Sequence, residues 1–256
     1  MNTLLKDKTI LVMGVANKWS IAWAIAEACH RAGARLAFTY QGERSLESLK
    51  KLTDDIPEAV LIPCDVTKDA EIEEAFNLLK EQFGVLHGVV HSIAHAKKEE
   101  LDGLYLNTSR EGYGMAQDIS AYSLVAVTRF ARPLMAEGGS IVTLTYLGGE
   151  RVVKNYNVMG VAKAALDASV RYLAADLGRE NIRVNAISAG PIKTLAAKGV
   201  KDFTTMLKEF EQKSPMGRLV ETEEVANTAV FLCSNMSSGI TGEVIHVDCG
   251  YCILGY

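Results

Sequence analysis

The chain has 256 residues, 48% hydrophobic and 23% charged, and its 27 basic and 31 acidic side chains give a formal net charge of −4. That composition excludes disorder and a coiled coil, and the mild acidity argues against a protein that holds nucleic-acid phosphates with a strong positive field. The opening "MNTLLKDKTI" lacks the charged head, apolar run and cleavage site of a signal peptide, and no apolar run approaches the ~18 residues of a membrane span, so a cytoplasmic protein is expected.

Apolar runs of strand length alternate with helical patterns along the whole chain. Residues 9 to 15, "TILVMGV", read as a buried strand and 20 to 33 as a helix closed by Gly33. A strand over 34 to 40, a helix over 43 to 54, a strand over 59 to 66 and a helix over 69 to 83 follow. The fourth strand is expected over 86 to 96, a long helix over about 109 to 136, the fifth strand over 139 to 149 and a helix over 157 to 178. The sixth strand (182 to 190), a helix (222 to 235) and a seventh strand (242 to 250) complete the pattern. Near-continuously apolar strands alternating with helices predict a parallel sheet covered on both faces, a doubly wound α/β fold of Rossmann type in a single domain. In such a sheet the ligand lies beyond the carboxyl ends of the strands, at the point where strand order reverses.

The residues at those ends suit a dinucleotide. After the first strand, Gly14 is followed six places later by Ser20 and Ile21, which open a helix whose N–H groups could face a pyrophosphate. Taken alone, that stretch reads equally as an ordinary turn capped by Ser20. The third strand stops at "CDV", placing Asp65 where a carboxylate could accept from an adenine amino group, and Ile93 and Ala94 end the fourth, where they could wall a ring. At the second strand's end stands Gln41, where NAD-binding chains often carry an acid; Glu43 and Arg44 follow, and an arginine there could receive a 2′-phosphate. NADH is the expected cofactor, with NADPH as the alternative.

The five cysteines are scattered and odd in number, so no disulfide framework is expected. Cys249 and Cys252 form "CGYC" after the last strand, with no following helix to activate a thiol. His91 and His95, four apart on a strand end, do not share a face and are read as structural, so no metal site is expected.

Chemistry is concentrated in "YLGGERVVKNYNVMGVAKAA", residues 146 to 165. Tyr156 opens a helix and Lys163 lies seven residues on, within about 20° of the same face and about 10.5 Å along the axis. Both could lean onto one ligand, the ammonium gripping sugar hydroxyls and the phenol reaching a reacting oxygen, with Tyr146 approaching from the strand before. A nearby cation is expected to lower the phenol's pKa and make it a better acid toward a developing oxyanion. On spacing alone, a solvated lysine and two packing tyrosines fit as well.

The stretches "GVANKWSIAWAIA", "HSIAHA", "SREGY", "AQDISAYS", "TYLGGE", "NYNVMGVAKAALDASVRYLAADLG", "IRVNAISAGPIKTLAAKG" and "GEVIHVDCG" decide between these readings. Together they resemble the bacterial enoyl-[acyl-carrier-protein] reductases of fatty acid synthesis, the NADH-dependent type within the short-chain dehydrogenase/reductase superfamily. The resemblance covers essentially the whole chain and is specific, since ordinary superfamily members carry Tyr-x-x-x-Lys where this chain has Tyr156-x6-Lys163.

The resemblance implies that Tyr156 donates to a thioester enolate, that Lys163 holds the cofactor ribose and that Tyr146 is a second active-site tyrosine. It further implies that Gly14, Ser20, Ile21, Gln41, Asp65, Val66 and Ile93 bind the dinucleotide. Ile192, Lys193, Thr194, Leu195 and Ala196 would close over the nicotinamide and pyrophosphate, and Ala96 would touch substrate. The implied reaction is hydride addition to C3 of a trans-2-enoyl thioester, the implied partner an acyl carrier protein, and the implied assembly a homotetramer. Cys249, where Gly or Ser is expected, and the short apolar tail are departures.

A lid over an acyl chain is expected at about 192 to 215, from the length of that connection and its apolar positions Leu195, Val200, Phe203, Met206, Leu207 and Phe210. Residues 193 to 208 hold four lysines against Asp202 alone, a local +3 that could receive an acidic carrier. A carbonyl reductase and a dinucleotide sensor without turnover are the competing readings; the first lacks its Tyr-x-x-x-Lys, and the trio of side chains speaks against the second.

Overall fold

The computed structural model describes residues 3 to 194 and 203 to 255. Seven strands form one parallel sheet: β1 (Thr9–Met13), β2 (Arg35–Tyr40), β3 (Val60–Pro63), β4 (Gly88–His91), β5 (Gly139–Thr145), β6 (Ile182–Ala189) and β7 (Val244–Val247). Their order is β3-β2-β1-β4-β5-β6-β7. The chain therefore winds outward from β1 in one direction, then restarts at β4 on β1's other side, and the reversal leaves a crevice between the carboxyl ends of β1 and β4.

Alternate residues of each strand supply two separate cores. Ile10, Val12, Leu36, Phe38, Val142, Leu144 and Ile187 face one side, where they pack with α1 (Ile21–Arg31), α2 (Glu43–Thr53) and α8 (Thr222–Cys233). Leu11, Met13, Ala37, Val89, Ile141, Val184 and Ala186 face the other, against α3 (Asp69–Phe83), α5 (Ser123–Ala131) and α6 (Asn157–Leu177). This period of two, buried on both faces, is why the strands carry no polar alternation.

Three expected elements differ. The fourth strand ends at His91 rather than 96, because only Ser92 finds a further rung, its N–H donating to the Met13 carbonyl at 3.2 Å before Gly14 turns away. The expected helix over 109 to 136 is broken into α4 (Arg110–Gln117), a π-helical turn (Asp118–Tyr122) and α5. Two serines explain the break: Ser120 Oγ accepts from His95 N–H at 2.9 Å, and Ser123 Oγ donates back to the Ile119 carbonyl at 2.6 Å. The fifth strand stops at Thr145, and Leu147–Gly149 form a single 3-10 turn. The segment expected as a lid contains α7 (Phe203–Lys213); Leu195, Ala196 and the rest of 195 to 202 lie outside the described residues.

Gly14 has φ +87°, and a Cβ there would drive into the carbonyl of Ser92 on β4's extension. Only glycine permits that left-handed, close-packed turn at the crevice. Gly14→Ala is expected to lower the unfolding free energy by at least ~2 kcal/mol in a urea titration, from backbone strain plus the clash.

Candidate active site

Because the strands are parallel, their carboxyl ends share one edge, and the residues expected to bind a dinucleotide line it: Gly14 after β1, Gln41 after β2, Asp65 and Val66 after β3, Ile93 after β4 and Ile192 to Thr194 after β6. Ser20 is the N-cap of α1; its hydroxyl accepts from Trp23 N–H at 3.3 Å and donates to the Asn17 carbonyl at 2.7 Å. With its hydroxyl so engaged, Ser20 shapes the helix start, and the first-turn N–H groups of Ile21 and Ala22 are those left without an intrahelical acceptor. Partial burial raises the Asp65 carboxyl, but hydrogen bonds from the Thr67 N–H and hydroxyl and from Gln41, with Lys68 alongside, outweigh it and hold Asp65 below its ordinary value. It stays anionic, an acceptor for an amino group.

The tyrosine pair is assembled by two glycines. In the turn after β5, a Cβ on Gly148 would strike the Tyr156 ring, and a Cβ on Gly149 would stand 3.0 Å from the backbone carbonyl carbon of Lys163. Glycine at both positions lets the turn lie against α6, bringing the Tyr146 and Tyr156 rings edge to face with centroids 4.9 Å apart at 72°. Tyr156 stands between Asn155 (φ +63°) and Asn157 (φ +38°), two left-handed residues of the type that tolerates that backbone. Lys163 is 5% exposed, and its Nζ donates to the Leu144 carbonyl near the end of β5 at 2.7 Å. One of three ammonium donors is thereby used, and among the described residues two remain. Ala96 and Tyr156 both pack against a small apolar cluster of Leu101, Ala116, Val158, Met159 and Ala162, a greasy wall beside the phenol.

A family model described as Enoyl-(Acyl carrier protein) reductase matches residues 14–252. The chain belongs to the enoyl-[acyl-carrier-protein] reductase family. It is 62% identical over 253 residues, 98% of each chain, to the NADH-type enoyl-[acyl-carrier-protein] reductase FabI of Bacillus subtilis. It is 55% identical to the NADPH-type FabI of Staphylococcus aureus strain MRSA252, over 96% of this chain and 97% of that one. Among solved structures, the Bacillus cereus enoyl-acyl carrier protein reductase with NADP+ and indole naphthyridinone is similar with a TM-score of 0.98 at 57% identity, over 99% of this chain and 100% of that one. The Anaplasma phagocytophilum reductase in complex with NAD gives 0.97 at 44% identity, over 100% and 98%.

In this reductase the expected acidification of the phenol by Lys163 is not what the structure shows. Burial pushes Tyr156 well above the ordinary phenol range, with Tyr146 and Asp167 adding to it, and burial likewise raises Tyr146. Desolvation penalises a phenolate, and Lys163 is not among the groups acting on either ring, so both phenols are neutral donors. Burial also lowers Lys163, to about 8, with Asp167 opposing it.

Sequence reasoning named Met206, Leu207 and Phe210 as lid positions but not the groups they meet. Met206 on α7 lies with its sulfur 3.8 Å from the Tyr146 hydroxyl. Leu207 and Phe210 of α7 are buried, Phe210 stacked on Tyr251 of the C-terminal tail at 3.7 Å. A cavity of about 460 Å³, bordered by Leu147, Val153, Met206, Phe210, Tyr251 and Leu254, opens beside this contact. The sequence signal available for the glycine pair was its place directly after a strand; nothing local marks Tyr251 as a partner of Phe210.

His91, read as structural, is fully buried between Thr143 and Ser123, with Nδ1 3.0 Å from the Thr143 hydroxyl and Nε2 2.8 Å from that of Ser123. Burial and the Lys163 charge hold its pKa at about 3. An unfolded histidine titrates near ~6.5, so the stability from neutral His91 is complete above that pH and is lost as pH falls toward the folded value, at up to ~1.4 kcal/mol per pH unit. Thermal unfolding of His91→Gln between about pH 7 and about pH 4.5 should decline less steeply than that of the parent protein.

Proposed function

We propose that the chain reduces the C2–C3 double bond of a trans-2-enoyl thioester borne on acyl carrier protein, with Tyr156, Tyr146 and Lys163 as its reacting-site residues. The observation that carries this reading is the edge-to-face tyrosine pair beside an ammonium anchored to the end of β5, next to the strand-order reversal. The dinucleotide fits the residues present: Gly14 leaves room a side chain would fill, Asp65 is anionic, and Lys163 keeps donors for ribose hydroxyls. NADH when bound would supply hydride to C3, and a proton taken up at C2 completes the reduction of the enolate to the saturated thioester.

Tyr156, held neutral, donates a hydrogen bond to the thioester oxygen as that oxygen becomes an enolate. This contact strengthens only as charge develops, so it lowers the barrier rather than merely tightening substrate binding. Tyr146 packs on Tyr156 and fixes its ring, and Ala96 with the adjoining apolar cluster borders the acyl chain. Gln41 turned to Asp65, with Glu43 at the start of α2, supports NADH, while Arg44 beside Glu43 keeps NADPH as the alternative. Ile192, Lys193 and Thr194, with Leu195 and Ala196 outside the described residues, are assigned to cover the nicotinamide and pyrophosphate.

The span from about 192 to 215 is read as a lid, supported by the Met206 contact to Tyr146, and its lysines as the landing site of the acidic carrier. The homotetramer is taken from the family resemblance, with Tyr113, Tyr122 and Tyr172, exposed on α4, the π-turn and α6, as candidate contact residues. No described helix is long and apolar enough to cross a membrane, which accords with a cytoplasmic enzyme.

NADH loss should follow addition of a trans-2-enoyl thioester and not of a 3-oxoacyl thioester; the reverse would assign a carbonyl reductase, and binding without loss a sensor. Tyr156→Phe should lower kcat about 10²-fold. Lys163→Ala should chiefly raise the NADH Kd, and in the parent protein NADH binding should weaken above about pH 8, as Lys163 loses its charge. Lys201→Glu should reduce kcat/KM for carrier-borne substrate at low salt, and an unchanged value would exclude that lysine from the landing site.

A further inference from the structure

The Lys163 ammonium is buried, with one carbonyl as its acceptor among the described residues. A carbonyl dipole orients a charge without neutralising it, and an ammonium in such a place tends to lose its proton unless an anion stands near. Four residues along α6, about 40° round and about 6 Å up the axis, lies Asp167. Asp167 is 6% exposed, and among the described residues its Oδ1 has no hydrogen-bond partner. Burial raises the Asp167 carboxyl, while the Thr145 hydroxyl, also buried at the last residue of β5, and the Lys163 charge oppose the rise. Gly149 seals the group in, since a Cβ there would stand 2.9 Å from Asp167 Oδ2.

A buried carboxyl with an unpaired oxygen is costly, and its own packing gives no return for it. The other titratable groups around the lysine do not neutralise it. His91 on β4 is uncharged, Tyr156 at the head of α6 and Tyr146 after β5 are neutral phenols, and Glu150 and Arg171 act on Asp167 with opposite signs.

We propose that Asp167 is a positioning residue that keeps Lys163 protonated and directed at the cofactor ribose. The inference rests on the ribose-binding role assigned to Lys163 above. Asp167 opposes the burial that draws Lys163 down, so without it the lysine would be neutral at a lower pH.

The test is NADH affinity, by cofactor fluorescence, from about pH 6 to about pH 10 in the parent protein and in Asp167→Asn, Asp167→Glu and Lys163→Arg/Asp167→Asn. Asp167→Asn should move the alkaline loss of affinity to lower pH by about one unit or more while leaving affinity at the acid end little changed. Asp167→Glu should restore the parent profile, and the double variant, whose guanidinium does not titrate in this range, should show no alkaline loss. An Asp167→Asn profile that is uniformly weaker at every pH, or unmoved, overturns the proposal and leaves a structural residue. If Asp167→Asn does not fold, 15N-lysine-labelled parent protein decides: the Lys163 Nζ signal should step as the Asp167 carboxyl titrates, and its absence overturns the proposal. These readouts need no turnover, so inactivity toward enoyl thioesters would sink the functional reading and leave this one judged on binding alone. A parent profile flat across the range would remove the lysine's role and this inference together.

Discussion

A buried ammonium bonded to the carboxyl end of β5 is the constraint on which the site depends. Lys163 cannot reach Leu144 unless α6 lies close to the turn after that strand, and it lies that close because Gly148 and Gly149 present no side chains to it. The same approach presses Tyr146 on Tyr156. One contact therefore sets the lysine, both phenols and the exit direction of the chain together. Loss of either glycine would disturb all of them at once, since interiors packed to this density transmit a displaced methyl group.

The chemistry follows from what burial does to each group. Phenols in this setting are held neutral, so the tyrosines offer protons to charge that develops elsewhere and bring none of their own. The lysine is drawn toward neutrality by the same desolvation and sits near the point where its charge can be lost. Acid and cation are thus set in opposite senses by one environment, the arrangement expected where oxyanion stabilisation and cofactor binding are divided between neighbours.

Around this centre the fold supplies position more than chemistry. The reversal between β1 and β4 opens the crevice, Gly14 keeps it clear, and the π-helical turn between α4 and α5 sends Ser120 to His95 and Ser123 to His91, bracing the chain that runs from β4 to Ala96. On the far side α7 sets Met206 against Tyr146 and is itself pinned by the Phe210–Tyr251 stack. The site is bounded by elements distant in sequence, each held by a contact of its own.

Local pattern was enough to establish the parallel sheet, because strands buried on both faces must be apolar throughout and no other common element has that signature at that length. It also placed Gly14, Gln41, Asp65 and Ile93 on one edge, since parallel strands end on the same side. Membership of the reductase family was legible in "YLGGERVVKNYNVMGVAKAA", where residue types and spacing occur together. What the sequence could not settle was anything decided by competition between distant groups. The long helix became two helices around a π turn where Ser123 bonds back to the Ile119 carbonyl, and the phenol's pKa moved opposite to expectation because burial raises it and no described cation acts on it. Asp167 stands four residues beyond Lys163 on one helix, a spacing the sequence shows, but its burial came only once α6 was laid against β5 and Gly149 closed over it. Periodicity records which face of an element is buried; only the packed chain decides which charges share that burial, and desolvation acts on the assembled site rather than on any residue alone.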